Sequence, residues 1–322
     1  MKTCRVETVT DRADWEALFS RVENPHLPQS WAYGDAVHAS RDWRLRHRAL
    51  DAGGWRPRRL VFERNGAPVA ICQLIEKPLA GLRWAAVVDR GPLFLDPEPR
   101  EEVLRDVLST LRRGRRYFGL VLILVPSLLD EPQNERLLRE LGFLPREIDG
   151  YSSFRVNLRL SEEDMFDKLT SRWRRQLRQG MRTGASVTFS SSPEDAEWMI
   201  DRHVQNMKEK GFDTPEPPLV RALYAASPDD FLVARAVLDG ESLAGLAAVK
   251  FGLGSDYYIG WVSELGRKTN INSFLFWETA LELRRRGCHL FDLGGMRAGA
   301  TEPFKRGMGG DSYKTIHNWL AF

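Results

Sequence analysis

The sequence predicts a mixed α/β protein, with sheets of mixed strand direction, built from two copies of one unit. Two tight-turn dipeptides, Asn65-Gly66 and Asp239-Gly240, each sit between strand-like apolar runs, with the glycines 174 residues apart. Each hairpin is followed by a strand, a helix and another strand, in the same order. The longest apolar run, LVLILVP (120–126), has the length of a strand and falls far short of the ~20 residues of a membrane span.

In the first copy, RRLVFE (58–63) and APVAICQLIEK (67–77) flank Arg64-Asn65-Gly66, and the N-G pair accepts the backbone geometry of a two-residue hairpin loop. LRWAAVVDRG (82–91) reads as a third strand. A helix opened by Asp96-Pro97 follows, with Val103, Val107, Leu108 and Leu111 at helical spacing. FGLVLILVP (118–126) is the closing strand, and the helix NERLLRELGF ends at Gly142 as a C-cap. In the second copy, FLVARAVL (231–238) and SLAGLAAVKFG (242–252) form the hairpin and SDYYIGWVS (255–263) the next strand. NSFLFWETALELRRRG (272–287) reads as a helix with Asn272 as N-cap and Gly287 just past its end; HLFDLGG (289–295) closes the series. Between the copies lies a helical insert. Ser161-Glu162-Glu163-Asp164 has the form of a capping box, and Ser192-Pro193-Glu194-Asp195 opens a helix that closes at Gly211. The boundary falls near IDGYSS (148–153).

At 322 residues the chain has room for about two domains of ~150 residues each. Hydrophobic and charged shares of 43% and 28% are those of an ordinary globular protein, and a net charge of +3 leaves any polyanion binding to local clustering. Three widely spaced cysteines, Cys4, Cys72 and Cys288, give neither a disulfide framework nor a zinc spacing, which fits a reducing cytosol. The N-terminus has no apolar signal region. The expectation is a cytoplasmic protein with no integral membrane segment.

The charge does cluster once. KLTSRWRRQLRQGMRTG (168–184) holds Lys168, Arg172, Arg174, Arg175, Arg178 and Arg182 and no acid. On a helix, Trp173, Leu177 and Met181 form an apolar stripe, with Arg175, Arg178 and Arg182 as a basic stripe beside it. Such a face suits a polyanion, because several phosphate contacts give strong, salt-sensitive binding; it also suits a merely solvated surface helix. The pairs RPRR (56–59), RRGRR (112–116) and RRRG (284–287) read as hairpin starts and helix ends, where the dipole favours cations. None of the six histidines has a metal or nucleophile spacing, and no GxSxG, HExxH or P-loop pattern occurs. In SDYYIGWVS the alternation puts Tyr257 and Ile259 on one strand face and Tyr258 and Gly260 on the other. Either tyrosine suits a substrate hydrogen bond, or simply the core. PFKRGMGG (303–310) looks at first like a phosphate loop but does not fit the pattern. It follows the strand ending in DLGG, and the MRAGATE connection (296–302) would let Lys305 reach back over that strand end as a compact charge for a developing oxyanion. Its glycines would make room for a loop crossing a substrate channel. An exposed loop lysine is the plainer alternative.

Three segments together resemble the Fem family of aminoacyl-tRNA-dependent transferases, which add amino acids to peptidoglycan precursors: SRWRRQLRQGMRTGASVTF (171–189), NSFLFWETALELRRRGCHLFDLGG (272–295), and PFKRGMGG with its aromatic-rich end. QSWAYGDAV (29–37) adds a fainter match. The resemblance implies two tandem GNAT-like domains, 1–150, completed by the tail 313–322, and 151–312. It implies that Lys305 stabilises the tetrahedral oxyanion, that Phe304 supplies backbone contacts, and that Asp292 positions the loop. Tyr257 or Tyr258 would touch the acceptor, and Lys168, Arg172, Arg174, Arg175, Arg178 and Arg182 would lie near the tRNA acceptor stem. Aminoacyl-tRNA is then the co-substrate, with no cofactor or metal. The acceptor would be a cell-wall precursor or related peptide-like amine, with peripheral membrane contact only for a lipid-linked acceptor. The chain departs from the family at Val37-His38, where a lysine is usual, and at Glu209-Lys210-Gly211-Phe212-Asp213, where R-D-G-F-Y is usual; both bear on the nucleotide-linked acceptor. Two other readings stay open: an acyl-CoA-dependent N-acyltransferase, against which GRKTNINS (266–273) offers one glycine where a CoA phosphate loop needs several, and an RNA-binding module without catalysis.

Overall fold

The computed structural model describes residues 4–40, 54–79, 82–118, 121–212, 214–296 and 301–322. The chain divides into two compact units, Met1–Ser152 together with Lys314–Phe322, and Ser153–Tyr313.

In the first unit the strands are β1 (Arg5–Val9), β2 (Arg56–Arg64), β3 (Ala67–Leu79), β4 (Leu82–Asp89), β5 (Leu93–Phe94), β6 (Val121–Val125), β7 (Leu144–Pro145) and the C-terminal β15 (Trp319–Ala321). They form one mixed sheet in the order β1-β2-β3-β4-β6-β15-β7, with β5 beside β3. The helices are α1 (Arg12–Phe19), α2 (Trp31–Ser40), α3 (Glu101–Phe118) and α4 (Pro132–Glu140). The β2–β3 hairpin turns at Asn65 and Gly66, both at positive φ, as the N-G pair requires. Helix α3 starts at Glu101, so Asp96-Pro97 lies in the connection and does not open the helix. Its Val107, Leu108 and Leu111 are fully buried against Leu60, Phe62, Ala86, Val88, Leu122 and Leu124. Trp319 and Ala321 of β15 belong to the same core, paired antiparallel with Leu124 and Leu122.

In the second unit the strands are β8 (Ser152–Asn157), β9 (Ser186–Ser190), β10 (Phe231–Leu238), β11 (Glu241–Phe251), β12 (Gly254–Val262), β13 (Leu290–Asp292) and β14 (Asp311–Lys314), in the order β14-β8-β13-β12-β11-β10-β9. Its helices are α5 (Glu162–Lys168), α6 (Ser171–Met181), α7 (Pro193–Lys210), α8 (Pro217–Ala226), α9 (Glu264–Lys268), α10 (Ile271–Arg285) and α11 (Thr301–Gly307). Successive residues of β11 face opposite sides. Ala244, Leu246 and Ala248 join the core with Leu275, Phe276 and Ala280 of α10, whereas Gly245 faces Trp198 and Met199 of α7. Capping follows the sequence at α5 and α7, where the Ser161 and Ser192 side chains accept from the backbone N–H of Asp164 and Asp195. At α10 it does not. The cap is Asn270, held at positive φ, and Asn272 lies inside the helix; Asn270 uses its side-chain amide to donate to Gln179 Oε1 at 2.9 Å.

Each sheet therefore completes itself with a strand from elsewhere in the chain. β15 lies against β6 in the first unit, and β8, which precedes the rest of the second unit, lies against β13 in the equivalent slot.

Candidate active site

In the second unit β12 and β13 pair in parallel, in register over three rungs: Gly254↔Leu290, Ser255↔Phe291 and Asp256↔Asp292. Beyond the last rung β12 runs on from Tyr257 to Val262 with no parallel partner among the described residues, while the other chain turns away through Gly294, whose φ is +78°. The turn needs glycine twice over, since a Cβ there would also sit 2.9 Å from the Tyr257 carbonyl oxygen. Candidate chemistry collects at this point of divergence.

Lys305 lies on α11. PFKR is helical, so the lysine stands on a short helix and not in a glycine-rich loop, and it is only 7% exposed, which overturns the solvated-lysine alternative. The part of the connection at 297–300 is outside the described residues. The ammonium reaches the strand end and donates to the carbonyl oxygens of Gly294 at 2.8 Å and Gly295 at 2.9 Å, leaving its third N–H for another partner. Burial pulls its pKa down from 10.5 to about 8, with the Asp292 charge pulling the other way, so it remains mostly cationic at neutral pH. Its nitrogen lies 5.9 Å from the centre of the Tyr257 ring.

Asp292 is 3% exposed and engaged at both oxygens. Oδ1 accepts from the Ser153 hydroxyl and from the Gly294 N–H at 2.9 Å; Oδ2 accepts from Arg155 Nε at 3.3 Å and from the Tyr313 hydroxyl. A carboxylate bound this way fixes the backbone that holds Lys305. Phe304, the residue before the lysine, packs its ring 5.7 Å from Trp173 of α6 and 5.1 Å, edge-on, from Phe276 of α10, so its side chain anchors α11 to both helices.

The tyrosines separate. The ladder between β11 and β12 shifts register between Ala247, which pairs with Ile259, and Ala248, which pairs with Tyr257, so Tyr258 is the extra residue of a β-bulge. Simple alternation therefore fails here. Tyr257 shares its face with Gly260, where an added Cβ would meet the Tyr257 hydroxyl at 2.4 Å, and its ring packs 5.0 Å from Phe276. Burial pushes the Tyr257 phenol up to about 12, so it is a neutral hydrogen-bonding group. Tyr257, Phe304, Lys305 and Asp292 thus form one constellation; Tyr258 occupies the bulge beside it.

Of the basic residues, Lys168 ends α5 and Arg172, Arg174, Arg175 and Arg178 lie on α6, with Arg182 its C-cap. Trp173 and Leu177 are buried as the stripe requires, but Met181 is 51% exposed; Gly180 takes the third buried position, its Cα close against Asn270 and Phe274. All six basic residues except Arg174 are exposed, and among the described residues no acid stands within 4 Å of Arg172, Arg175, Arg178 or Arg182. Arg174 lies 3.9 Å from Asp167, and Arg174 and Arg178 sit over the Phe166 ring. The α6 N-terminus adjoins the end of α11, where the Thr170 N–H donates to the Gly307 carbonyl at 3.0 Å. The glycines of KRGMGG serve this packing and not a channel crossing: added Cβ atoms would sit 2.6 Å from the Lys168 carbonyl oxygen at Gly309 and 2.8 Å from that of Arg155 at Gly310.

In the first unit, QSWAYGDAV forms a 3₁₀ turn leading into α2. Gln29 donates to the carbonyls of Gln73 and Asp89 and accepts from the Gln73 N–H at 2.7 Å; Arg59 bonds Gln73 and Asp35 and stacks 3.4 Å above Trp31. Reading RPRR as a bare hairpin start missed this buried arginine, and the sequence reading assigned no role to Ser153, Arg155 or Tyr313.

Residues 168–306 match the family model described as an acetyltransferase (GNAT) domain. Among solved structures, "Crystal structure of FemX" superposes with a TM-score of 0.79 at 15% identity, covering 98% of this chain and 96% of that one. The chain has the tandem GNAT-like fold of FemX. A tandem GNAT protein from the clavulanic acid biosynthesis pathway matches at TM-score 0.55 and 13% identity, over 99% of this chain and 98% of that one. A C-terminal domain named for a lysylphosphatidylglycerol synthetase of Agrobacterium fabrum matches at TM-score 0.55 and 15% identity, over 96% and 92%. No curated protein matches in sequence. Among the described residues there is no group of three metal-binding side chains, and no helix is long and apolar enough to cross a membrane.

Proposed function

We propose that the protein is an aminoacyltransferase that moves an amino acid from aminoacyl-tRNA to an amine of a peptidoglycan precursor or related peptide-like acceptor. The observation that carries this is the buried Lys305 ammonium, aimed by two carbonyls at the point where β12 and β13 part. The acceptor nitrogen attacks the ester carbonyl, a C–N bond forms, the C–O bond to the terminal ribose breaks, and the nitrogen's proton leaves with the ribose oxygen or solvent. Negative charge develops on the carbonyl oxygen during this step, and the third N–H of the buried Lys305 is a preorganised donor for it. Holding both substrates together can lower the barrier by several kcal/mol, up to about 7–11 in ideal cases. The ester is already activated, so the step needs no ATP. Arg172, Arg175 and Arg178 of α6 and its C-cap Arg182, which have no acid within 4 Å among the described residues, are the face on which the tRNA phosphates would lie. FemX among the structural neighbours supports this reading.

The acetyltransferase description of residues 168–306 favours a second reading, an acyl-CoA-dependent N-acyltransferase. Against it, the segment entering α10 is the short helix α9, and its one glycine, Gly266, is turned inward, where a Cβ would meet the Leu243 carbonyl oxygen at 2.5 Å. It leaves little glycine backbone for a pyrophosphate.

The test is incubation with a mixture of charged tRNAs and candidate amines, with mass analysis of the products and a parallel arm supplying acetyl-CoA. An amide carrying an amino acid, formed only with charged tRNA, is the expected result. An acetylated product from the CoA arm alone would replace this reading with the second, and salt-sensitive tRNA binding without product would reduce the protein to an RNA-binding module.

A further inference from the structure

Lys305 is aimed by Gly294 and Gly295, and what aims those carbonyls lies outside the site's contact surface. Gly294 donates its N–H to Asp292 Oδ1, and the single Ser153 hydroxyl proton is shared between the same oxygen, at 2.5 Å, and the Gly294 carbonyl, at 2.8 Å. The turn that presents the carbonyl is therefore pinned to the carboxylate at two points. The other carboxylate oxygen is pinned in turn by Arg155 Nε and the Tyr313 hydroxyl. Arg155 sits opposite Asp292 in the β8–β13 register, and its guanidinium lies 4.2 Å from the centre of the Tyr313 ring. Asp256 faces Asp292 from the third strand of the row. Burial works against the Arg155 charge, but Tyr313, Asp292 and Asp256 outweigh it and raise its pKa.

Buried ionic groups of this kind are poor value as stabilisers, because desolvation offsets most of their attraction; what a fully satisfied cluster provides is fixed geometry. The cluster also stands on the face of β8 and β13 away from Phe291 and Val156, which build the α10 core, so the packing of that core does not require it. Its connection is to Gly294.

We propose that Tyr313 and Arg155 are positioning residues for transfer: they fix Asp292, Asp292 fixes the Gly294 turn, and the turn aims the Lys305 ammonium. Neither residue touches Lys305 in the contacts described above. Both act through the carboxylate. The proposal rests on the reading of Lys305 given under Proposed function, and names further residues on which that reading depends.

The test uses Tyr313→Phe in the full chain, which removes one hydroxyl and keeps the ring under Arg155. Two quantities are read. The first is kcat for aminoacyl transfer from charged tRNA, expected to fall ~10- to 100-fold with both KM values within about twofold, the pattern of a misaimed group and not of lost binding. The second needs no activity: the rate at which acetic anhydride labels Lys305 at pH 8, read by mass spectrometry, is expected to change several-fold, because freeing the group from its carbonyls alters both its exposure and its share of free amine. Arg155→Met is the second variant, with the same two expectations, and Arg155→Lys, which keeps a cation beside Asp292, should recover part of kcat. Unchanged kcat and unchanged labelling in Tyr313→Phe and Arg155→Met overturn the positioning role. If instead Lys305→Ala transfers at the normal rate, the functional reading falls, and the labelling rate alone still decides whether Tyr313 and Arg155 hold Lys305.

Discussion

The two units have the same strand order and opposite treatment of the same strand pair. In the first, β4 and β6 stay in parallel register over five rungs, Ala85↔Val121 to Asp89↔Val125, and β4 ends at the last of them. The seam is closed further by the Gly91 N–H bonded to the Val125 carbonyl and by the Ser127 hydroxyl bonded to the Pro92 carbonyl at 2.5 Å. In the second unit, β12 and β13 part after three rungs, a bulge at Tyr258 shifts the strand that runs on, and a buried lysine is set at the opening. One copy of a sheet can thus be zipped closed while the other is held open at a candidate site. The difference rests on a few local devices: a positive-φ glycine, a bulge and a charged group where the first unit has backbone hydrogen bonds.

The largest expected break of this contrast is Lys305→Ala. Removing the Lys305 cation should cost about 10²–10³ in transfer rate, with circular dichroism and melting temperature little changed; near wild-type turnover would assign the lysine to structure alone. Next in size is pH dependence. The folded-state pKa of Lys305 is lowered to about 8, so below that pH the protein carries the penalty of a buried charge, and the unfolded chain holds the proton more tightly up to the ordinary value of 10.5. Stability attributable to this group therefore rises with pH between about 8 and 10.5, by about 3–4 kcal/mol at most. Denaturant titrations of Lys305→Met should lack that rise, and an identical pH slope in both proteins would mean that the lysine is not buried as described.

Gly294→Ala should cost about 1–3 kcal/mol, since it combines a positive φ with a Cβ pressed on the Tyr257 carbonyl, and kcat should fall with it because the lysine's carbonyl partner moves. A variant as stable and active as the parent would show that the opening tolerates redirection. The smallest effect is expected on the closed side. Ser127→Ala removes one hydroxyl bond at the seam of the first unit and should lower stability by about 0.5–1.5 kcal/mol with transfer kcat within twofold. A marked loss of kcat there would mean that the closed unit takes part in chemistry.

The hairpins were legible in the residues because N-G and D-G dictate their own backbone geometry, and both turns lie where those pairs stand. The serine caps of α5 and α7 were legible for the same reason: a side-chain oxygen meets N–H groups two or three residues away. Where the competing partner is distant, the reading slipped. Asn272 looked like a cap, but Asn270 takes the positive-φ position and a hydrogen bond to Gln179, 91 residues earlier. Met181 completed an apolar stripe on paper, yet the neighbour at that position is α10's first turn, which admits only Gly180. The bulge at Tyr258 left no mark in an alternating run, because register belongs to the pair of strands and not to either one.

The chain's own sequence determined the two-fold repetition of hairpin, strand, helix and strand, the basic face of α6, and the proximity of FDLGG to a lysine ten to fourteen residues on. These are set by dihedral preference, by periodicity and by short separations along the backbone. Only the tertiary structure decided that Lys305 is buried and bound by two carbonyls, that Asp292 meets Ser153, Arg155 and Tyr313, and that the glycines after the lysine face backbone instead of solvent. The physical reason is sequence distance. Ser153 and Arg155 lie well over a hundred residues before Asp292 and meet it only because β8 is laid beside β13, and the burial that lowers the lysine's pKa exists only once the folded chain has excluded water.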